Sequence, residues 1–286
     1  MNNILVTGGD GQLGSELREI APNYSEYTFF FTDIKALDIT NHTIVAAFIE
    51  INKIDVIINC AAYTAVDKAE SEPELANAIN HLAVANFAQI SQENNIKLIQ
   101  ISTDYVFDGT NHKPYVETDI PNPQSVYGKT KLDGELEMIR INPKNSIIIR
   151  TSWVYSKIGA NFVKTMLKLA ETKDEISVVA DQIGSLTNAA DLAEAILIIL
   201  PKIKNETVEL FQYSNEGVCS WYDFAKAIFE IQGLEIKVNP ISSSQYPTLA
   251  QRPFYSVLDK NKINNAYKLV NNYWVDSLRF NIVKFK

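Results

Sequence analysis

Six short runs of this chain are dense in Ile, Val, Leu and Phe: "NILVTG" (3–8), "YTFFFTD" (27–33), "DVIINCA" (55–61), "KLIQIS" (97–102), "SIIIRTS" (146–152) and "EISVV" (175–179). A strand with one wet face alternates apolar and polar side chains. Runs this continuous have to be buried on both faces, which requires a parallel sheet covered by helices. Helical patterns fill the intervals: Gln12–Ile20, a stretch containing "IVAAFIEI", residues 72–94, the segment that carries Tyr127, and the segment after Asn188. Within 72–94, Leu75, Ile79, Leu82, Phe87 and Ile90 recur at steps of three to five and read as one buried helix face. The alternation predicts an α/β fold with a doubly wound parallel sheet.

"TGGDGQLGSEL" places Gly8, Gly11 and Gly14 between the first strand and the first helix. That junction asks for a tight turn, close backbone approach to a diphosphate and tight helix–strand packing, with the helix N-terminus facing the anion. The spacing differs by one residue from Gly-x-Gly-x-x-Gly, but the strand-to-helix context makes it a dinucleotide signal of the Rossmann type. Asp33 ends the second strand nineteen residues beyond Gly14. A carboxylate there either accepts the adenosine ribose hydroxyls, favouring NADH over NADPH, or serves as a turn aspartate. With Lys35 and Asp38 beside it, both cofactors stay open. Residues 1–152 read as a dinucleotide-binding core. Residues 153–286 read as a mixed region that completes the sheet at about 175–215 and forms a smaller C-terminal lobe over the carboxyl ends of the strands, where a substrate binds.

In "NPQSVYGKTKLDGELEMIR" (122–140), Tyr127 and Lys131 stand one helical turn apart. Such a pair is either a plain helix surface or an acid–base pair in which the ammonium acidifies the phenol. Thr103, in "ISTDYVFDG" (101–109), adds a hydroxyl at the carboxyl edge of the fourth strand. Together the three supply the parts for carbonyl reduction. The phenol protonates the oxygen as hydride reaches carbon, the lysine lowers the phenol pKa and holds the nicotinamide ribose, and the threonine orients the carbonyl.

Composition narrows the alternatives. The net charge is −8 and no basic tract of five or more Lys/Arg occurs, which argues against nucleic acid as a partner. Cys60 and Cys219 lack metal-ligand spacing and suit a reducing compartment, and the three histidines form no zinc pattern. The most apolar run, "LAEAILIIL" (192–200), is too short to span a bilayer, and the N-terminus enters a strand directly without a signal-peptide pattern. A soluble cytoplasmic protein is expected.

The glycine pattern, the strand-four hydroxyl and Tyr-x-x-x-Lys together resemble the extended short-chain dehydrogenase/reductase superfamily. Longer segments resemble the dTDP-4-dehydrorhamnose reductase family: "NCAAYTAVDKAESEPELANAIN", "STDYVFDG", "VYGKTKLDGE", "RTSWVY", "NFVKTMLKLA", "DQIGSLTNAADLA", "WYDFAKAIF" and "YPTLAQRPFYSVLD". With the glycine turn, the resemblance runs from residue 4 to about 260. It implies reduction of the C4 ketone of dTDP-4-dehydro-L-rhamnose to dTDP-L-rhamnose for cell-surface polysaccharide, with NADPH or NADH. It implies Thr103, Tyr127 and Lys131 as the catalytic trio, and dinucleotide contacts at Gly11, Gln12, Leu13, Asp38, Ile39, Ala62, Tyr63 and Thr64. Substrate contacts would come from Thr103, Asp104, Tyr127 and Trp153. Trp153 offers a flat apolar face to a sugar or base, or else is a core residue, while Gln182 and Arg252 would reach the nucleotide or its diphosphate.

Two departures stand out. Some family members hold Mg²⁺ with acids from paired subunits; Glu16 and Asp191 match two such positions, but Ile282 stands at the third. No metal site is therefore expected, with a monomer or a homodimer both open. Leu186 replaces a frequent proline and is expected to alter only its loop. A 4,6-dehydratase needs a carboxylate after Thr-Asp, where this chain has Tyr105. A related deoxysugar reductase or 4-epimerase, or a non-catalytic regulatory subunit on the same fold, stays as the alternative.

Overall fold

The computed structural model describes residues 2–283. Its centre is a six-stranded sheet built from β1 (Asn2–Thr7), β2 (Tyr27–Thr32), β3 (Val56–Asn59), β4 (Lys97–Thr103), β5 (Ile147–Thr151) and β6 (Glu209–Gln212). All pairings are parallel and the spatial order is β6-β5-β4-β3-β1-β2. The order reverses at β1 and β3, and a crevice opens outside the carboxyl ends of strands at such a point.

Strand alternation divides the core. Ile4, Val6, Val56, Ile58, Ile99, Ile147 and Ile149 face one apolar cluster, which α1 (Gln12–Ile20) and a helix at Ala189–Ile199 cover. Leu5, Ile57, Leu98 and Ile148 face the other, under α2 (His42–Ile51), α3 (Ala83–Asn94) and α4 (Val126–Ile141). Both faces are apolar and dry, as the unbroken Ile/Val runs require.

The segment Glu175–Val179, grouped above with the buried strands, lies outside this sheet. It pairs in parallel with Lys237–Ile241, and the sixth strand of the main sheet is Glu209–Gln212. Its inner residues Ile176 and Val178 join a third apolar cluster with Phe224, Ile228 and Leu278, while Glu175 and Ser177 are exposed. One-sided burial was visible in that alternation, and it separates this strand from the others. Leu186 also belongs to the third cluster and is fully buried, so its effect reaches the core and is not confined to a loop.

The predicted helix over 72–94 forms, but its inner face differs. Helical turns at Pro73–Asn77 run into a π-helical segment, Ala78–Leu82, before α3 begins. Ala76, Asn80, Ala83, Phe87 and Ile90 form the inner face at steps of four and three, and Leu75 and Leu82, the latter five residues before Phe87, lie off it and are half exposed. The side chain of Asn80 accepts from Tyr63 N (2.9 Å) and donates to Tyr63 O (3.1 Å) and Thr130 Oγ1 (3.2 Å). Asn80 thereby ties the loop after β3 to α4.

Among the described residues no helix is long and apolar enough to cross a membrane. Contact between α4 and the π segment is close: a β-carbon on Gly134 would lie 2.3 Å from the Asn80 carbonyl oxygen. Gly134→Ala gains roughly 1 kcal/mol of helix propensity but forces two backbones apart. It is expected to lower stability by about 1–3 kcal/mol in urea denaturation; an unchanged midpoint would contradict that contact.

Candidate active site

The turn after β1 begins the site. Gly8 has φ +63, and a β-carbon there would sit 2.8 Å from Ala61 N, against the loop after β3. A β-carbon on Gly14 would lie 2.2 Å from the Gly8 carbonyl oxygen, so α1 packs directly onto the turn. Gly11 is exposed and caps α1 without any side-chain hydrogen bond. The first-turn amides, from Gln12 to Gly14, are left for an anion rather than for a protein cap. A diphosphate fits this glycine cradle.

The remaining dinucleotide candidates differ in how free they are. Asp33 accepts from Lys35 N (3.0 Å) and Ala36 N (3.1 Å); these backbone donors, led by Ala36, with Asp10 assisting, hold its carboxyl below the ordinary range. Asp38 is exposed and accepts from Thr40 N and Thr40 Oγ1. Ile39 and Leu13 are buried core residues, so only their backbone is offered to a ligand. Ala62, Tyr63 and Thr64 follow β3 as a loop; the Tyr63 hydroxyl donates to Glu72 at 2.6 Å.

Thr103 ends β4 and caps the short turn Asp104–Val106. Ser125 caps α4, accepting from Gly128 N at 3.1 Å, and Val126 N donates to Glu70 at 2.8 Å. These contacts fix the helix start, and a β-carbon on Gly128 would lie 2.2 Å from the Tyr105 carbonyl oxygen. Tyr127 is thereby brought beside Thr103, its ring edge-on to Tyr105 at 5.4 Å between centroids. One turn on, Lys131 Nζ donates to the Ile101 carbonyl at 2.6 Å. The trio read from sequence is assembled at one place.

Its electrostatics depart from the simplest expectation. Burial pushes the Tyr127 phenol above its ordinary value, and the group that eases this is the hydrogen-bonding Thr103 hydroxyl, not the Lys131 ammonium. Burial also pushes Lys131 down to about 8, with Glu135 and then Cys60 pulling it back up. Asp104 is buried, accepts from Thr103 Oγ1 at 3.0 Å through one oxygen, and has no well-formed hydrogen bond on the other. Desolvation raises it to about 6, with the Ser256 and Thr103 hydroxyls moderating the shift.

Trp153 follows β5 with φ +47, an uncommon conformation for a non-glycine residue that often marks functional positions. Its indole stacks on Trp221 at 3.7 Å and fills the place where Gly184 would carry a β-carbon. Arg252 donates to the Tyr105 hydroxyl at 2.9 Å and to Asp67 at 2.5 Å, which links the C-terminal segment to the Tyr127 neighbourhood. Gln182 donates to Ser243 at 3.0 Å within the C-terminal lobe and shares no direct bond with the trio. Glu16 accepts from Ser156, and Asp191 accepts from Asn215, Asn272 and Ser277.

Asp67, Trp221 and the pair Glu135–Arg150 are not among the site residues read from sequence, and Tyr105 enters there only as the residue in place of a dehydratase's carboxylate. Glu135 had a signal, four residues after Lys131 in a stretch already singled out. Trp221 and Asp67 had none, because their partners are distant in the chain.

The raised Asp104 carboxyl makes stability depend on pH. The folded state holds this proton more tightly than the unfolded chain, so the contribution to stability falls as pH rises from about 4 to about 6 and stays low above that. The shift, from 3.8 to about 6, corresponds to roughly 2–3 kcal/mol. Asp104→Asn removes the penalty. The stability difference, variant minus wild type, is expected to grow by that amount between pH 4 and pH 7 in urea titrations; a flat difference would contradict the buried ionisation.

The family described as RmlD substrate binding domain matches residues 1–286. A dTDP-4-dehydrorhamnose reductase of Aggregatibacter actinomycetemcomitans is 42% identical, over 98% of this chain and 98% of that protein. The crystal structure of a Clostridium acetobutylicum dTDP-4-dehydrorhamnose reductase superposes with a TM-score of 0.92 at 42% identity, covering 98% of each chain. That of the Bacillus anthracis dTDP-4-dehydrorhamnose reductase, solved in complex with NADP, gives 0.94 at 40% identity, covering 99% of this chain and 100% of the other. On a match of this extent, the chain belongs to the RmlD family, that of the dTDP-4-dehydrorhamnose reductases.

Proposed function

We propose that this protein reduces the C4 ketone of dTDP-4-dehydro-L-rhamnose to dTDP-L-rhamnose, in nucleotide-sugar synthesis for cell-surface polysaccharide. The observation that carries the reading is the convergence of Thr103, Tyr127 and Lys131 at the carboxyl end of β4, in the same sheet edge as the glycine cradle. A bound reduced nicotinamide, NADPH or NADH, supplies the hydride. Residues 1–152 hold the dinucleotide and residues 153–286 contribute the substrate lobe.

Each residue has a part that its surroundings support. Gly8, Gly11, Gln12, Leu13 and Gly14 present backbone to the diphosphate, and Asp33, Asp38, Ile39 and the loop Ala62–Thr64 border the rest of the dinucleotide. Thr103 hydrogen-bonds the ketone oxygen. Tyr127 gives its proton to that oxygen as the carbon receives hydride. Burial keeps the phenol protonated until negative charge develops on the oxygen, which is when a weak acid becomes a competent donor. Lys131 holds a positive charge beside the ribose and the reacting centre, and Asp104, Trp153, Gln182 and Arg252 contact the sugar nucleotide. We place the protein in the cytoplasm, as a monomer or homodimer, without a metal.

The direct test is to mix the protein with NADPH or NADH and the 4-keto sugar nucleotide and follow absorbance at the reduced-nicotinamide band. Loss of absorbance that requires the ketone is expected; tight cofactor binding without turnover would favour a regulatory role. Tyr127→Phe is expected to slow turnover by about 10²- to 10⁴-fold while leaving cofactor affinity nearly intact. Wild-type activity in that variant would remove the acid role.

The pH dependence follows from Lys131. Its ammonium is already easier to deprotonate than an exposed lysine, at about 8. The reduction rate is expected to fall as pH rises through that value, and a rate still flat at pH 9.5 would contradict the assignment.

A further inference from the structure

The mechanism above leaves the buried ion pair Glu135–Arg150 unused. Glu135 is 1% exposed and lies on α4 one turn after Lys131. Its carboxylate accepts from Arg150 Nε at 3.0 Å and Arg150 Nη2 at 2.6 Å, and from the Ser102 hydroxyl. Arg150, on β5, is 2% exposed, packs its guanidinium over the Phe107 ring at 5.0 Å, and leaves Nη1 without a hydrogen-bond partner. A buried ion pair seldom adds net stability over an apolar pair of the same shape, because both charges give up their hydration. This one, with an unsatisfied nitrogen, is a poor choice for stability alone.

Its position gives it a purpose. Lys131 anchors to the Ile101 carbonyl and Glu135 to the Ser102 hydroxyl, two consecutive residues of β4 immediately before Thr103. Tyr127, Lys131 and Glu135 follow at four-residue spacing along one helix face. We propose, resting on the reductase reading above, that Glu135 is a positioning residue: held by Arg150 and Ser102, its carboxylate keeps Lys131 charged and keeps α4 in the register that sets Tyr127 beside Thr103.

The groups that act on the Lys131 charge are few. Glu135 on its own helix favours the ammonium, as does Cys60 after β3, and Arg150 on β5 is bonded to Glu135. Burial opposes the charge. Without Glu135, the charge-favouring side of this balance loses its stronger member.

The test uses two variants, because Glu135→Gln alone leaves Arg150 buried and unpaired and can fail to fold. The paired variant E135Q/R150M removes both charges together. In protein labelled with ¹⁵N-lysine, the Lys131 Nζ resonance is assigned by its loss in Lys131→Met and titrated without cofactor or substrate. Its midpoint is expected to fall by about one pH unit in E135Q/R150M, and further in E135Q if that variant folds. The alkaline limb of the reduction rate is expected to move down by the same amount. An unmoved Lys131 midpoint in folded E135Q/R150M would overturn the proposal, and so would a moved midpoint with an unmoved limb. If wild-type protein reduces no keto sugar while the resonance still shifts, the reductase reading fails and the electrostatic link stands.

Discussion

Helix α4 comes so close to its neighbours that a methyl group at Gly128 or Gly134 would enter another segment's backbone. That approach is the constraint on which the site depends. It lets Lys131 reach the Ile101 carbonyl and Glu135 reach Ser102 and Arg150, so the helix is bonded to the end of β4 through side chains at successive turns. With those bonds made, Tyr127 has one place to be, beside Thr103. The π-helical segment serves the same end from the other side, since Asn80 joins α4 to the loop after β3. Three parts of the proposed site, from the loop after β3, the end of β4 and α4, are thus held by one set of contacts.

The same close packing sets the electrostatics. Three neighbouring groups are driven toward their neutral forms by loss of hydration: the Tyr127 phenol up, the Lys131 ammonium down to about 8, and the Asp104 carboxyl up to about 6. Such clusters of displaced ionisations mark working sites more often than structural ones. A pair of opposite charges, Arg150 and Glu135, sits in the same dry region with little exposure on either side. Its energetic return on stability is small, so its placement next to Lys131 is the more informative fact.

The fold was legible where local chemistry decided it. Ile/Val runs without alternation announced the central strands, and glycines at a strand-to-helix junction announced the cradle. Glu175–Val179 has the composition of a buried strand but the alternating exposure of a one-sided one, and Leu75 and Leu82 lie off the buried helix face because Leu82 and Phe87 are five residues apart. In the site, Thr103, Tyr127 and Lys131 could be found because they lie on two adjacent elements of the same unit. The stacking of Trp221 on Trp153, and the reach of Asp67 to Arg252, join residues 68 and 185 positions apart. Contacts of that kind follow from how the C-terminal lobe packs, which the chain's local patterns do not encode. The direction of the phenol shift is not legible in the sequence, because a four-residue spacing brings Lys131 near Tyr127 without saying which carbonyl its ammonium will choose.

The central claim is that the crevice lined by the glycine turn, Thr103 and Tyr127 delivers hydride to a sugar ketone. Reaction of the protein with NADPH carrying deuterium at both C4 positions tests it most directly, with dTDP-4-dehydro-L-rhamnose as acceptor and the product read by mass spectrometry and NMR. The account predicts one deuterium at sugar C4 and none lost to water. A ketone left unreduced while the labelled cofactor stays bound, or a product with hydrogen from water at C4, would contradict it.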